Sequence, residues 1–218
     1  MAISVQANNG TKRRILHAAE QLFAEIGVAG TSLRNITATA RVNLAAVNYH
    51  FGSKDALIEA VYERRLAPLN QARLANLKSA EAAAQGPVPE AEIVNAFVEP
   101  VATLSDDPED GAVFTRLIAQ TYSEASQYVY KLLSTEHLEV MRRYKGAFHR
   151  ALPELSNEEV CWRLHFMAGA LHHTLADTSY LRWFGQGELT PDVSTAIRQL
   201  VPFLVAGVSA PPAPRGNA

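Results

Sequence analysis

The sequence predicts an all-α protein: three short helices, a long connecting helix and a larger helical body. Three observations support this. Apolar residues make up 48% of the 218 positions, with Leu and Ala dominant and β-branched runs scarce. Apolar positions recur at three- and four-residue spacing in one segment after another. Ser, Asn, Asp or Pro stands where most of these segments begin, and Gly or Pro where several end.

Residues 1–10 are polar, contain the breaker Asn8-Asn9-Gly10, and read as a flexible arm. A first helix starts near Thr11, with Ile15, Ala18, Ala19, Leu22, Phe23 and Ile26 as its apolar stripe and Gly27 and Gly30 at its end. Ser32 can cap a second helix whose Leu33, Ile36 and Ala40 face inward, and Asn43 a third over residues 44–50. Gly52-Ser53 precedes a long helix from Lys54, where Pro68 should produce a kink. Gln85-Gly86-Pro87-Val88-Pro89 is a linker. A fifth helix covers about 89–104. Asp107 and Pro108 suit the start of a sixth, about 108–125, and a seventh covers about 127–151. Ser156 to Glu159 is a capping box for an eighth, about 157–177. Thr190-Pro191-Asp192 opens a ninth, about 191–207, and 209–218 is a second flexible tail.

The net charge of −2 hides an asymmetry. Residues 1–65 hold eight Lys and Arg against five acids, and 66–218 hold twelve against seventeen. A basic front on an acidic body suits a module that meets a polyanion. Cys161, the one cysteine, falls in an apolar helical pattern and reads as a buried, reduced thiol. Residues 1–10 lack the apolar run of a secretory signal, and Leu200–Val208 is too short to span a bilayer. These features predict a cytoplasmic protein that makes no membrane contact.

The three short helices fit a helix-turn-helix domain over residues 11–58, which lays its last helix in the major groove of double-stranded DNA. Ala45 and Ala46 let that helix approach the bases, and a methyl there can pack on thymine. Asn48 can pair bidentately with adenine or bond a phosphate. Tyr49 and His50 can donate to phosphates, as can Lys54 at the next helix start. Thr31, Ser32 and Arg34 can hold the opposite strand. Asn43 and Arg41, beside the turn, complete the candidate set.

The pattern Leu33…Ile36…Ala40-x-Val42…Tyr49-His50-Phe51…Lys54…Leu57 resembles the TetR family of one-component transcriptional regulators over about residues 11–60. Two positions depart from the family pattern. Arg41 stands where glycine is usual in the turn, and Asn48 where an aromatic residue often precedes Tyr49. The stretch from Val42 to Lys54 is similar to a subgroup that includes regulators of fatty-acid degradation. The resemblance implies a homodimeric repressor on a palindromic operator, released by a small apolar effector such as a fatty acid or acyl-CoA. A responder to drug-like or aromatic compounds, or a constitutive DNA-binding protein without a ligand, stays open beside it.

The resemblance also makes residues 59–208 a ligand-binding and dimerisation domain. Phe97, Phe114, Leu117, Ile118, Thr121, Met141, Tyr144, Phe148, Met167 and His172 are its candidate effector contacts. Their helix faces can enclose an apolar pocket or simply fill a core, and periodicity does not separate the two. His165, His172 and His173 lack the spacing of a metal site, so no metal or cofactor is expected. The chain shows no triad, Cys/His pair or paired carboxylates that would suggest an enzyme. Trp162, Leu175, Trp183, Phe184, Ile197, Leu200, Val201 and Leu204 offer apolar surface for pairing two copies through a four-helix bundle.

Overall fold

The computed structural model describes residues 2–123, 135–176, 179–186, 188–189 and 192–212, leaving aside the side chains of 2–9, 120–123, 135–136 and 179–180. The regular structure in those residues is entirely helical. The helices are α1 (Ala2–Gly30), α2 (Leu33–Ala40), α3 (Leu44–Phe51), α4 (Lys54–Ala83), α5 (Glu90–Ser105), α6 (Gly111–Ser123), α7 (Thr135–Ala151), α8 (Asn157–Ala176), α9 (Ser179–Phe184) and α10 (Val193–Val208).

The expected caps form as the side-chain chemistry dictates. The Ser32 hydroxyl accepts from Asn35 N while the Asn35 side chain accepts from Ser32 N. Asn43 Oδ1 accepts from Ala46 N at 2.9 Å, and Ser53 caps α4 through Ala56 N. Ser156 and Glu159 bond reciprocally at the start of α8. Asp192 accepts from Thr195 N ahead of α10.

Other expectations shift. α1 begins at Ala2 instead of near Thr11. Asn and Gly cost no more than about 1 kcal/mol each inside a helix, too little to stop one anchored by the apolar stripe that follows. The helix does break at Gly27, whose φ of 74° is cheap only for glycine. α4 continues as one helix through Pro68. Asp107 caps a turn by accepting from the N–H groups of Glu109 and Asp110, and α6 itself starts at Gly111. A Cβ on Gly111 would sit 2.1 Å from the Ser105 carbonyl oxygen, so α5 and α6 meet there with no room for a side chain.

Two cores result. The first joins Ile15, Phe23, Ile36, Val47, Leu57, Val61 and Tyr62 from α1 to α4. The second runs through α4, α5, α6, α7, α8 and α10, around Leu77, Phe97, Phe114, Tyr144, Phe148, Met167 and Leu204. α5 packs between α4 and α10, and α8 between α6 and α10. Leu117 of α6 belongs to the first core, although its helix neighbours Phe114 and Ile118 point into the second.

Candidate nucleic-acid interface

α3 is seated by one residue. Val47 is fully buried against α1, α2 and α4, and Ala46, His50 and Phe51 are half-buried beside it. The other side of the helix, Leu44, Ala45, Asn48 and Tyr49, faces out, with Tyr49 76% exposed. Those positions are i, i+1, i+4 and i+5, a single continuous face. Tyr49 stands edge-on to His50 with ring centroids 5.2 Å apart. The flanks of that face are polar and exposed at Ser32, Arg34, Arg41 and Asn43.

Arg41 closes α2 in the left-handed region, at φ 53° and ψ 52°, with its N–H reaching the Ala38 and Thr37 carbonyls. The turn keeps the geometry that glycine favours, with a charged side chain built onto it. Lys12 of α1 lies 5.8 Å from the Phe51 ring centroid, which brings the Lys12-Arg13-Arg14 run to the end of α3. That run was visible in the sequence as a cluster of charge, but not its location.

Two predicted contacts sit differently. Thr31 is 1% exposed, and its hydroxyl donates to the Gly27 carbonyl at 2.7 Å. It secures the α1–α2 junction and is removed from the contact face. Lys54 is half-buried and its ammonium donates to the Val28 carbonyl at 3.0 Å, stapling α4 to the end of α1. Both residues serve carbonyls freed where Gly27 interrupts α1.

Above the helix-turn-helix, α4 carries Arg65, whose Nε donates to Glu20 of α1 and whose Nη2 lies 3.0 Å from Asp110, just before α6. Arg64 Nη1 stands 3.6 Å from the second Glu20 oxygen. The first helix, the connecting helix and the body are thus tied by charge at one point.

In the body, the residues predicted to line a pocket mostly fill the core. Phe97, Phe114, Ile118, Tyr144, Phe148 and Met167 are 3% exposed or less, and Met141 is half-buried. Leu117 packs on the first core, so it is removed from the candidate pocket. The Thr121 side chain lies outside the described residues. His172 is 9% exposed, and its Nδ1 donates to the Ala168 carbonyl at 2.5 Å. The apolar set expected at a dimer face divides. Leu175, Ile197, Leu200 and Leu204 turn inward, while Trp162, Trp183 and Phe184 stay exposed. Phe166 and Phe203, at 61% and 70%, join the exposed set, which the helical pattern alone did not reveal. Cys161 is exposed, because α8 buries its Val160–Leu164–Met167–Leu171 side. No helix among the described residues is long and apolar enough to cross a membrane.

Comparison with known proteins places this geometry. A family model for the C-terminal domain of tetracyclin repressor-like proteins matches residues 95–207, and one for bacterial regulatory proteins of the tetR family matches residues 15–61. The HTH-type transcriptional repressor Rv3405c of Mycobacterium tuberculosis is 53% identical over 49 residues, 22% of this chain and 26% of its own length. The chain thus matches about a quarter of the length of that curated relative. A TetR-like transcriptional regulator from Rhodococcus sp. RHA1 superposes with a TM-score of 0.62 at 15% identity, covering 92% of this chain and 97% of that one. A Clostridium perfringens fatty acid metabolism regulator gives 0.58 at 18% identity, over 91% and 100%. Likeness at such identities establishes the fold. With the two family models covering both the helix-turn-helix and the body, the chain belongs to the TetR family of transcriptional regulators.

Proposed function

We propose that the protein is a homodimeric repressor that binds a palindromic operator and releases it when a small apolar effector occupies the body. The observation that carries the reading is the division of α3, with Val47 locked in the core and Leu44, Ala45, Asn48 and Tyr49 presented outward. In the major groove Asn48 meets a base edge, Ala45 and Ala46 allow close approach, and Tyr49 and His50 reach phosphates. Ser32, Arg34, Arg41 and Asn43 hold the flanking backbone. Lys54 contributes its charge from where it is stapled.

Pairing uses the outer faces of α8 and α10. Trp162, Phe166 and Phe203 are each at least half exposed, more contiguous apolar surface than a monomer normally leaves in water. Two helices from each copy form a four-helix bundle that sets the distance between recognition helices.

Effector control follows from α6, whose Phe114 and Ile118 sit in the body and whose Leu117 sits in the DNA-binding core. A ligand that displaces α6 strains both cores, and a coupling of about 1–3 kcal/mol suffices to change operator occupancy. The fatty acid metabolism regulator among the structural neighbours supports a fatty acid or acyl-CoA as the first effectors to try. The test is a gel-shift titration on the operator selected from random DNA by the purified protein, with candidate effectors added. Loss of the shifted band with a ligand that also raises the melting temperature supports the reading. Unchanged operator affinity under saturating, melting-verified ligand refutes it.

A further inference from the structure

The body core holds polar groups that neither the DNA face nor the dimer face uses. On the inner side of α4, Asn70 is 1% exposed and Arg73 3%. They stand one turn apart, with Cβ atoms roughly 5–6 Å from each other. Arg73 is held in place: its Nε donates to the Phe97 carbonyl at 3.0 Å, and its guanidinium carbon lies 3.7 Å from the Phe97 ring centroid. Tyr144, edge-on to that ring, donates its hydroxyl to the Arg73 carbonyl at 2.9 Å. A guanidinium keeps its charge inside a protein, so this part of the core carries a fixed cation.

Asn70 adds a second observation. Neither its Oδ1 nor its Nδ2 has a hydrogen-bond partner in the protein. An amide buried with both ends unmatched is costly to keep, and apolar residues of similar volume would pack there without that cost. Its presence is explained when something entering the core supplies the partner.

The two histidines near Arg73 do not add charge. Burial, reinforced by the Arg73 cation, holds both His137 and His172 at about 4, so both are neutral in the cell. Pro68 and Phe114 also border a surface cleft of about 90 Å³ along the same stretch of α4.

We propose that Asn70 and Arg73 form a buried receptor for the carboxylate of the effector, which makes the ligand a free organic acid with an apolar body. The inference rests on the ligand-responsive reading above and narrows it. The carboxylate accepts from the Asn70 amide and the Arg73 guanidinium, the pairing in which a buried charge is best matched. The apolar body meets the surrounding core, Phe97, Phe114 and Phe148 among it. A coenzyme A thioester has no carboxylate at that carbon, and a cationic compound meets the like charge of Arg73.

The experiment compares octanoate and laurate with octanol, their neutral counterpart, by calorimetric titration of the full chain without DNA. Wild type binds the acids at least tenfold more tightly than the alcohol. Asn70→Leu, which removes an unmatched amide and keeps the volume, retains the fold and loses tenfold or more in acid affinity with the alcohol unchanged. Arg73→Gln loses more, and circular dichroism verifies that it folds. Equal binding of acid and alcohol overturns the receptor, as does a folded Asn70→Leu with undiminished acid binding or a failure of both acids to bind. Failure of the parent reading looks different: acids bind in an Asn70-dependent way and the gel shift does not respond.

Discussion

Arg65 of α4 grips Glu20 of α1, a carboxylate only 1% exposed, and so fastens the connecting helix to the first helix of the DNA-binding domain. Burial works against the Arg65 charge. The Glu20 and Asp110 carboxylates outweigh it and hold the guanidinium above its ordinary value. Replacing Glu20 by Ala leaves a desolvated cation with Asp110 alone. The expected cost is about 3 kcal/mol in urea unfolding, the range for breaking a buried pair from one side. A loss below about 0.5 kcal/mol, typical of a surface pair, contradicts this account.

The Arg41 turn makes an opposite prediction. A non-glycine residue in the left-handed region costs roughly 1–2 kcal/mol, and Arg41→Gly recovers about 1 kcal/mol after the added freedom of the unfolded chain is counted. The same change removes a cation from the DNA face. Unfolding midpoints rise while operator binding weakens and its salt dependence becomes shallower. A variant that gains no stability shows that the turn is not strained.

Asn48 and Arg34 are expected to fail in different ways. Asn48→Ala relaxes preference at one base pair of each half-site, by about 1–3 kcal/mol against the best sequence. Arg34→Ala lowers affinity evenly across sequences and reduces the salt slope by about one. Selection from a randomised operator distinguishes them. Uniform weakening by Asn48→Ala assigns that residue to the phosphates.

His172 gives the fold a sensitivity to acid. Burial, the largest influence, lowers it to about 4, and Arg73 of α4 and His137 of α7 push the same way, with the neutral Tyr144 of α7 beside Arg73. The unfolded chain binds the proton near pH 6.5, so the contribution is complete above that value and is lost as pH falls toward about 4. For a group this buried the loss is on the order of 3 kcal/mol. Urea midpoints at about pH 7 and about pH 4.5 measure it, and His172→Gln flattens the difference.

The features most legible in the sequence are those settled within one turn of helix. Ser32, Asn43 and Ser156 announce their helices because a cap is a contact between neighbours, and the seating of α3 on Val47 follows from spacing. What needs the third dimension stays hidden. Leu117 is plainly an inward residue of an amphipathic helix, but nothing local says which of two cores receives it. Thr31 and Lys54 look like ligands for a polyanion until the break at Gly27 presents them with carbonyls. Asn70 and Arg73 fall on the same stripe as Leu66 and Leu77, where two polar letters look like tolerated noise. Phe166 and Phe203 read as interior residues because hydropathy does not distinguish a core from a surface awaiting a partner.

The placement of Leu117 bears on how such a protein can be divided or recombined. The domain that meets DNA borrows a wall from a helix fifty residues downstream of its own last element, so its folding is not finished when its own sequence is. A fragment cut within α4 emerges with a hole where that side chain belongs, and a chimaera that grafts this head onto another body inherits the hole unless α6 travels with it. Heat should accordingly melt head and body together, as one cooperative unit.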